Sequence, residues 1–175
     1  MVPAKVFLAA VVGGLIVIGA NAAIGGDPGS TTVAGSPTRV KLVRNTSGLL
    51  GTTSQDWIDP QGATTTIRVP PGQEAAILAR FTAESSCRRL PGGTLQYCRV
   101  RVLIDGVEAE PSTSEDFAFD TAMNEQFEYE SLSVERSLGG LAPGVHRVKV
   151  QASVSGPDTL FTLDDWHLTV ERLRA

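Results

Sequence analysis

From His146 to Val154 the chain alternates strictly: His146, Val148, Val150, Ala152 and Val154 oppose Arg147, Lys149, Gln151 and Ser153. A period of two sends the two sets to opposite faces of an extended strand, whereas a helix would scatter both around its circumference. The pattern recurs. Arg39–Arg44 alternates charge with Val40 and Leu42, and Thr64–Val69 puts Ile67 and Val69 on one face before the breaker Pro70-Pro71-Gly72. Gln73–Glu84 aligns Ala75, Ile77, Ala79, Phe81 and Ala83, and Arg99–Ile104 aligns Val100, Val102 and Ile104 against Arg99 and Arg101. Asp105-Gly106 is a hairpin turn signal, answered by Val107–Glu110. Phe117 and Phe119 alternate within Asp116–Asp120. Leu132, Val134 and Leu138 share a face in Glu130–Leu138, with Arg136 on the same parity. Thr121–Tyr129 is polar and short and reads as loop.

The last strand breaks phase. Phe161 and Leu163 are odd, whereas Trp166, Leu168 and Val170 are even. A one-residue slip turns every side chain over, so a β-bulge at Asp164-Asp165 is expected to reset the register. Eight or nine short strands punctuated by turns predict an all-β fold, a single antiparallel β-sandwich of the jelly-roll kind. Trp166 reads as core.

The N-terminus reads as an export segment. Lys5 is the one charged side chain before Asp27, Val6–Ile18 is a run of 13 apolar or glycine residues, and Ala20-Asn21-Ala22 fits a signal-peptidase site. Residues 1–22 are therefore expected to be a signal peptide. The alternative is an uncleaved membrane anchor reaching about residue 26, since Val6–Gly26 is uncharged over 21 residues. Residues 23–37, rich in glycine, serine, threonine and proline, read as a flexible spacer. Residues 38–175 remain as the domain, large enough for a real core. Either reading puts that domain outside the cytoplasmic membrane, secreted or tethered. The net charge of −4 argues against nucleic acid as a partner, because that partner selects a basic surface. Cys87 and Cys98 are the only cysteines, and an oxidising compartment makes them an expected disulfide.

No G-x-S-x-G elbow, H-E-x-x-H zinc pair or phosphate-cradling glycine loop occurs, and no catalytic residue is assigned. His146 and His167 lie on predicted strands and would need to meet across a sheet to ligate metal, so no metal site is assigned to them. Acids cluster at Asp56/Asp59, Glu115/Asp116/Asp120 and Asp164/Asp165. Asp116, Asp120, Asp164 and Asp165 are the candidate set for a structural Ca²⁺, a hard cation that takes oxygen ligands from several loops. The bland alternative is solvated loop acids. Trp57, in the loop-like Ser54–Pro60, is the candidate stacking platform, with Tyr97 second; a flat ring supplies large contact area at low entropic cost. Packing of Trp57 over the end of the sandwich is the competing reading. Asn45-Thr46-Ser47 matches a glycosylation acceptor.

The tail "GVHRVKVQASVSGPDTLFTLDDWHLTVER" (Gly144–Arg172) is similar to the closing hairpin of jelly-roll domains in secreted bacterial proteins, including some carbohydrate-binding modules. There a "G-x-H-x-V-x-V" strand pairs with a final "F-x-L-D-x-W/I-x-L" strand. "ILARFTAESSC", "CRVRVLIDGVEAEP" and "DFAFD" resemble parts of secreted bacterial proteins of unassigned function. The resemblance spans most of Thr38–Arg172 and implies fold. Two classes of function follow. One is a non-catalytic extracytoplasmic module binding a protein or glycan. The other is a hydrolase of cell-surface polymer using an acid pair. A homo-oligomeric structural jelly roll is a third reading, and it expects Leu78, Leu103 and Leu160 to lie exposed on a single copy.

Overall fold

In the computed structural model, residues 35–113 and 117–174 are described. The expected signal peptide or anchor, most of the spacer, and Asp116 lie outside them. Ten strands follow in order: β1 Ser36–Asn45, β2 Leu50–Thr52, β3 Thr64–Val69, β4 Ala75–Arg89, β5 Gln96–Ile104, β6 Val107–Glu108, β7 Asp120–Ala122, β8 Glu130–Leu141, β9 Gly144–Val154 and β10 Thr159–Arg174. One sheet runs β1-β10-β4-β8 with β2 added on β10; the other runs β3-β9-β5-β6 with β7 added on β5. All pairings are antiparallel. The long strands pass alternately between the sheets, and the last lies beside the first, which is the winding of a jelly roll.

The inward parities of both sheets make the core. Ile77, Phe81, Val100, Val102, Ile104, Val148, Val150, Leu163 and Leu168 are fully buried. At about 1.5–3 kcal/mol for each large apolar side chain, this burial is the main stabilising term. Four aromatic rings meet between the sheets: Phe81 lies 5.9 Å from Trp166 and 6.2 Å from Phe119, and Phe119 lies 6.3 Å from Phe161. Trp166 is 2% exposed, as its parity predicts.

The phase break in the last strand is a bulge. Asp164 pairs with Glu84 and His167 with Thr82, so Asp165 and Trp166 together oppose Ala83. Asp165 takes a positive φ of 39°, the left-handed conformation that a short polar residue tolerates best. Phe161 and Leu163 before the bulge thus share the core with Trp166 and Leu168 after it.

Cys87 on β4 and Cys98 on β5 form the disulfide, their Cα atoms 5.9 Å apart. Because β4 and β5 belong to different sheets, the bridge ties the sandwich together as well as closing the Arg88–Tyr97 connection. Other boundaries differ from expectation. β1 starts at Ser36, inside the expected spacer, and β4 runs on to Arg89. Residues 117–119 are irregular rather than strand, and β7 begins at Asp120. The alternation there has another cause. Phe119 drops into the core, whereas Phe117 lies over the Arg136 guanidinium at 4.5 Å. Arg136, on the apolar parity of β8, is only 6% exposed, and burial pulls its pKa down against the pull of Glu108 and Glu110.

Candidate functional site on the outer face of the β3–β9–β5 sheet

Register decides what this face presents. Thr64 lies opposite Lys149 and Thr66 opposite Arg147. Across the other edge of β9, Leu103 faces Lys149, Arg101 faces Gln151 and Arg99 faces Ser153. Directly opposed residues share a face. The outward parities of β5 and β9 therefore converge into a polar field containing Arg99, Arg101, Arg147, Lys149 and Gln151. Tyr97 continues the outward row of β5.

Residues 53–60 cross this field. Ile58 and Ala152 exchange backbone hydrogen bonds of 2.9 Å in each direction, which pins the segment along β9. Trp57 is thereby laid over the arginine row, its ring centroid 4.3 Å from the Arg101 guanidinium carbon and 5.3 Å from that of Arg99. The indole is half-buried. It lies on a sheet face, not over the end of the sandwich, and keeps solvent-exposed surface.

A hydrogen-bonded network holds the groups around it. Arg101 donates to Gln151 Oε1 through Nε (2.9 Å) and Nη2 (2.6 Å). Gln151 Nε2 donates to Asp59 Oδ1 at 2.7 Å, and Lys149 Nζ donates to Asp59 Oδ2 at 3.0 Å. The Gln151 hydrogen bond leads in holding Asp59 below the ordinary carboxylate range, reinforced by Lys149 and Arg147 and opposed by desolvation. Glu108 lies 3.6 Å from Arg101 and accepts a 2.6 Å hydrogen bond from the Thr113 amide. Beyond Lys149 the face sinks into a hollow of about 270 Å³ lined by Leu103, Asp105, Gly106, Arg147 and Lys149. Asp105 is engaged there: Oδ1 accepts the Arg147 amide at 2.7 Å, and Oδ2 lies 2.7 Å from His146 Nδ1. Desolvation raises its pKa, but the Arg147 amide and His146 outweigh that and hold it down.

The structure brings Trp57 and Tyr97 to one sheet face, with Arg99 between them along β5. Of the calcium candidates, Asp116 lies outside the described residues, and Asp120, Asp164 and Asp165 are not brought together. Asp120 accepts from Ser85 Oγ at 2.6 Å, and Ser85 is buried on the inner side of β4. Asp164 lies opposite Glu84 on the outer side of the same sheet, and Asp165 occupies the bulge. Among the described residues no group of three His, Cys, Asp or Glu side chains is placed to hold a metal ion. His146 and His167 are on different sheets, His146 inward beside Asp105 and Ala142, His167 between Arg44 and Thr82. Asn45 Oδ1 accepts the Ser47 amide at 2.9 Å and lines a cleft of about 320 Å³ with Arg44, Gln61 and Trp166.

Two sets of residues escaped the sequence. Arg99, Arg101, Arg147 and Lys149 looked like ordinary solvent parity; the available signal was that all four are cationic on the outward parity of two long strands. The second set is in the loop before β8. Phe127 and Tyr129 pack edge to face with centroids 5.0 Å apart, 47% and 41% exposed, and Met123 is 74% exposed. Arg88 caps Phe127 at 5.1 Å. Burial, then Asp164 and Glu84, raise the Tyr129 pKa. Of the residues tied to oligomerisation, Leu103 is buried within a single copy and Leu78 and Leu160 are half-buried, so none is exposed as that reading expects.

No protein-family model matches the sequence, and no curated protein does. Among solved structures, the chain is similar to the sugar-binding C-terminal domain of EclA at 12% identity and a TM-score of 0.33, over 81% of this chain and 84% of that one. It is similar to dimeric latent PorU from Porphyromonas gingivalis at 12% identity and a TM-score of 0.33, over 83% of this chain and 14% of that one. It also aligns with the CBM22-1 xylan-binding domain of Paenibacillus barcinonensis Xyn10C at 10% identity and a TM-score of 0.25, over 83% and 99%. Likeness at this level says nothing about ligand.

Proposed function

We propose that this domain is a non-catalytic, extracytoplasmic β-sandwich module that binds a glycan across the outer face of β3, β9 and β5. The observation that carries the reading is Trp57, held half-exposed over Arg99 and Arg101 beside Gln151, Asp59 and Lys149. A ring fixed by its underside loses little entropy when a sugar's C–H face packs on it. Planar amide, guanidinium and carboxylate groups around the ring are the donors and acceptors that sugar hydroxyls require. The export segment and the Cys87–Cys98 bridge support the location.

The carboxylates favour binding over hydrolysis. A glycosidase needs one carboxyl kept protonated by a raised pKa and a second across the cleft. Asp59 and Asp105 are both shifted downward, toward the ionised form, and each is already engaged by protein donors. A second reading, a protein partner, is favoured by one observation: Met123, Phe127 and Tyr129 expose apolar surface at one corner of the molecule.

Affinity electrophoresis against a panel of soluble polysaccharides tests the proposal. The wild-type chain should be retarded by at least one polymer, and Trp57→Ala should run freely while keeping its circular dichroism. Retardation that survives Trp57→Ala but disappears in Phe127→Ala/Tyr129→Ala would move the site to the other corner. Absence of retardation across neutral and charged polymers would sink the glycan reading.

A further inference from the structure

We infer that the glycan taken by this face is anionic, a polymer bearing carboxylates of the uronic-acid kind; the inference rests on the glycan reading above. The chain as a whole carries −4, yet this face is positive. Its strands turn outward Arg68, Arg99, Arg101, Arg147 and Lys149 against Glu108 alone, five cations to one anion. Adding Asp56 and Asp59 from the crossing segment and Asp105 from the turn still leaves five to four. The opposite sheet is mixed: it turns out Glu84, Glu135, Asp164 and Glu171 together with Arg44, Arg80 and Arg88.

Three of the four anions on the positive face, all but Asp56, are committed to the protein. Asp59 holds Lys149 and Gln151, Asp105 holds the Arg147 amide and His146, and Glu108 holds Arg101 and the Thr113 amide. Arg147 is exposed, and no carboxylate among the described residues forms an ion pair with its guanidinium. Its Nε reaches only Thr64 Oγ1, at 3.3 Å. Arg147 and Lys149 wall the hollow, and Leu103 contributes apolar surface to it. A charged, hydrogen-bonding wall beside apolar surface matches a carboxylate carried on a sugar ring. Lys149 and Arg101 lie diagonally across the β9–β5 register, so positive charge continues from the hollow to the arginine row beneath Trp57. A linear polymer lying along β5 and β9 would meet the cations of the hollow at one end and the indole at the other.

The experiment turns on two polymers that differ in whether their carboxyls are free or esterified, with three controls. Binding of the full chain is measured to polygalacturonate, to the same polymer fully methyl-esterified, to a neutral β-glucan, and to single-stranded DNA and dextran sulfate as charge controls. The expected result is at least about tenfold tighter binding to the free acid than to the ester, two exposed ion pairs' worth after screening. That preference should shrink as salt rises from about 50 mM to about 300 mM. Arg147→Gln/Lys149→Gln should bring the ratio of acid to ester affinity close to one. Arg80→Gln on the other sheet should change neither, and circular dichroism of each variant checks the fold. Equal binding to acid and ester would overturn the anionic inference and leave the glycan reading standing. Equally tight binding to DNA or dextran sulfate would show that the face reads charge alone, which also overturns it. Binding to none of the polysaccharides would remove the glycan reading itself.

Discussion

The two outer faces of the sandwich follow the same alternation and differ in what crosses them. On the β1–β10–β4–β8 face, Leu42 opposes Thr169, Leu78 opposes Ser137, and Arg80 pairs with Glu135. That face is a mixed, self-compensating surface of the ordinary soluble kind. On the β3–β9–β5 face, a segment from outside the sheet is bridged to β9 and lays an indole over two arginines. The difference lies in the loop: the strands supply a row of cations, and the crossing segment turns that row into the proposed site. A sheet holds such groups in fixed geometry, while a loop is free to vary in what it adds.

The largest expected effect tests whether the faces share one stability. Replacing both cysteines by serine removes the inter-sheet tie and should cost about 3 kcal/mol, from the loop-closure entropy of an 11-residue separation. Denaturant unfolding should show a single transition moved to lower midpoint, with glycan binding intact wherever the protein is folded. Two separated transitions would mean that the sheets are not one cooperative unit.

Trp57→Ala against Leu78→Ala separates the faces directly. The first should weaken glycan binding at least about tenfold and cost about 1 kcal/mol of stability, the two cation–π contacts being half-buried ones. Leu78→Ala should cost comparable stability and leave affinity unchanged. Calorimetry on both variants reads the two quantities; equal affinity losses would erase the functional contrast. The bulge, on the other sheet, sharpens it further. Asp165→Val forces a β-branched side chain into a positive φ and should cost about 1–2 kcal/mol, while Asp165→Gly should be neutral or mildly stabilising. Similar melting temperatures for the two variants would argue against the left-handed conformation.

The smallest effect concerns Asp59. Its folded pKa lies below the ordinary carboxylate value, so its contribution is present above that ordinary value and is lost as pH falls through the folded one. Asp59→Asn should therefore cost about 0.5 kcal/mol at neutral pH, given a half-exposed and screened carboxylate. The deficit should vanish in urea titrations below the folded pKa. A deficit that persists in acid would locate the effect in packing of the crossing segment.

Much of the fold was legible because it is local. Alternation in Val148–Val154 and Ile77–Ala83 needs only the two-residue period, and the Asp164-Asp165 bulge follows from an odd-to-even change inside one strand. The Phe117–Phe119 alternation misled for the opposite reason: one ring was recruited to the core and the other to a buried arginine on β8, neither through sheet pairing. Phe127 and Tyr129 were hidden because Thr121–Tyr129 reads as polar loop, and exposure depends on what the rest of the chain fails to cover.

For the site itself, the sequence alone determined that Arg99, Arg101, Arg147 and Lys149 point away from the core and that Trp57 sits in a connection. Only the tertiary structure decided that these belong together. Residues 57–59, 99–101 and 147–151 become neighbours through the β5–β9 register and the Ile58–Ala152 bridge. A side-chain period reveals which face a residue occupies; which strand lies beside it is set by non-local pairing that no local pattern encodes.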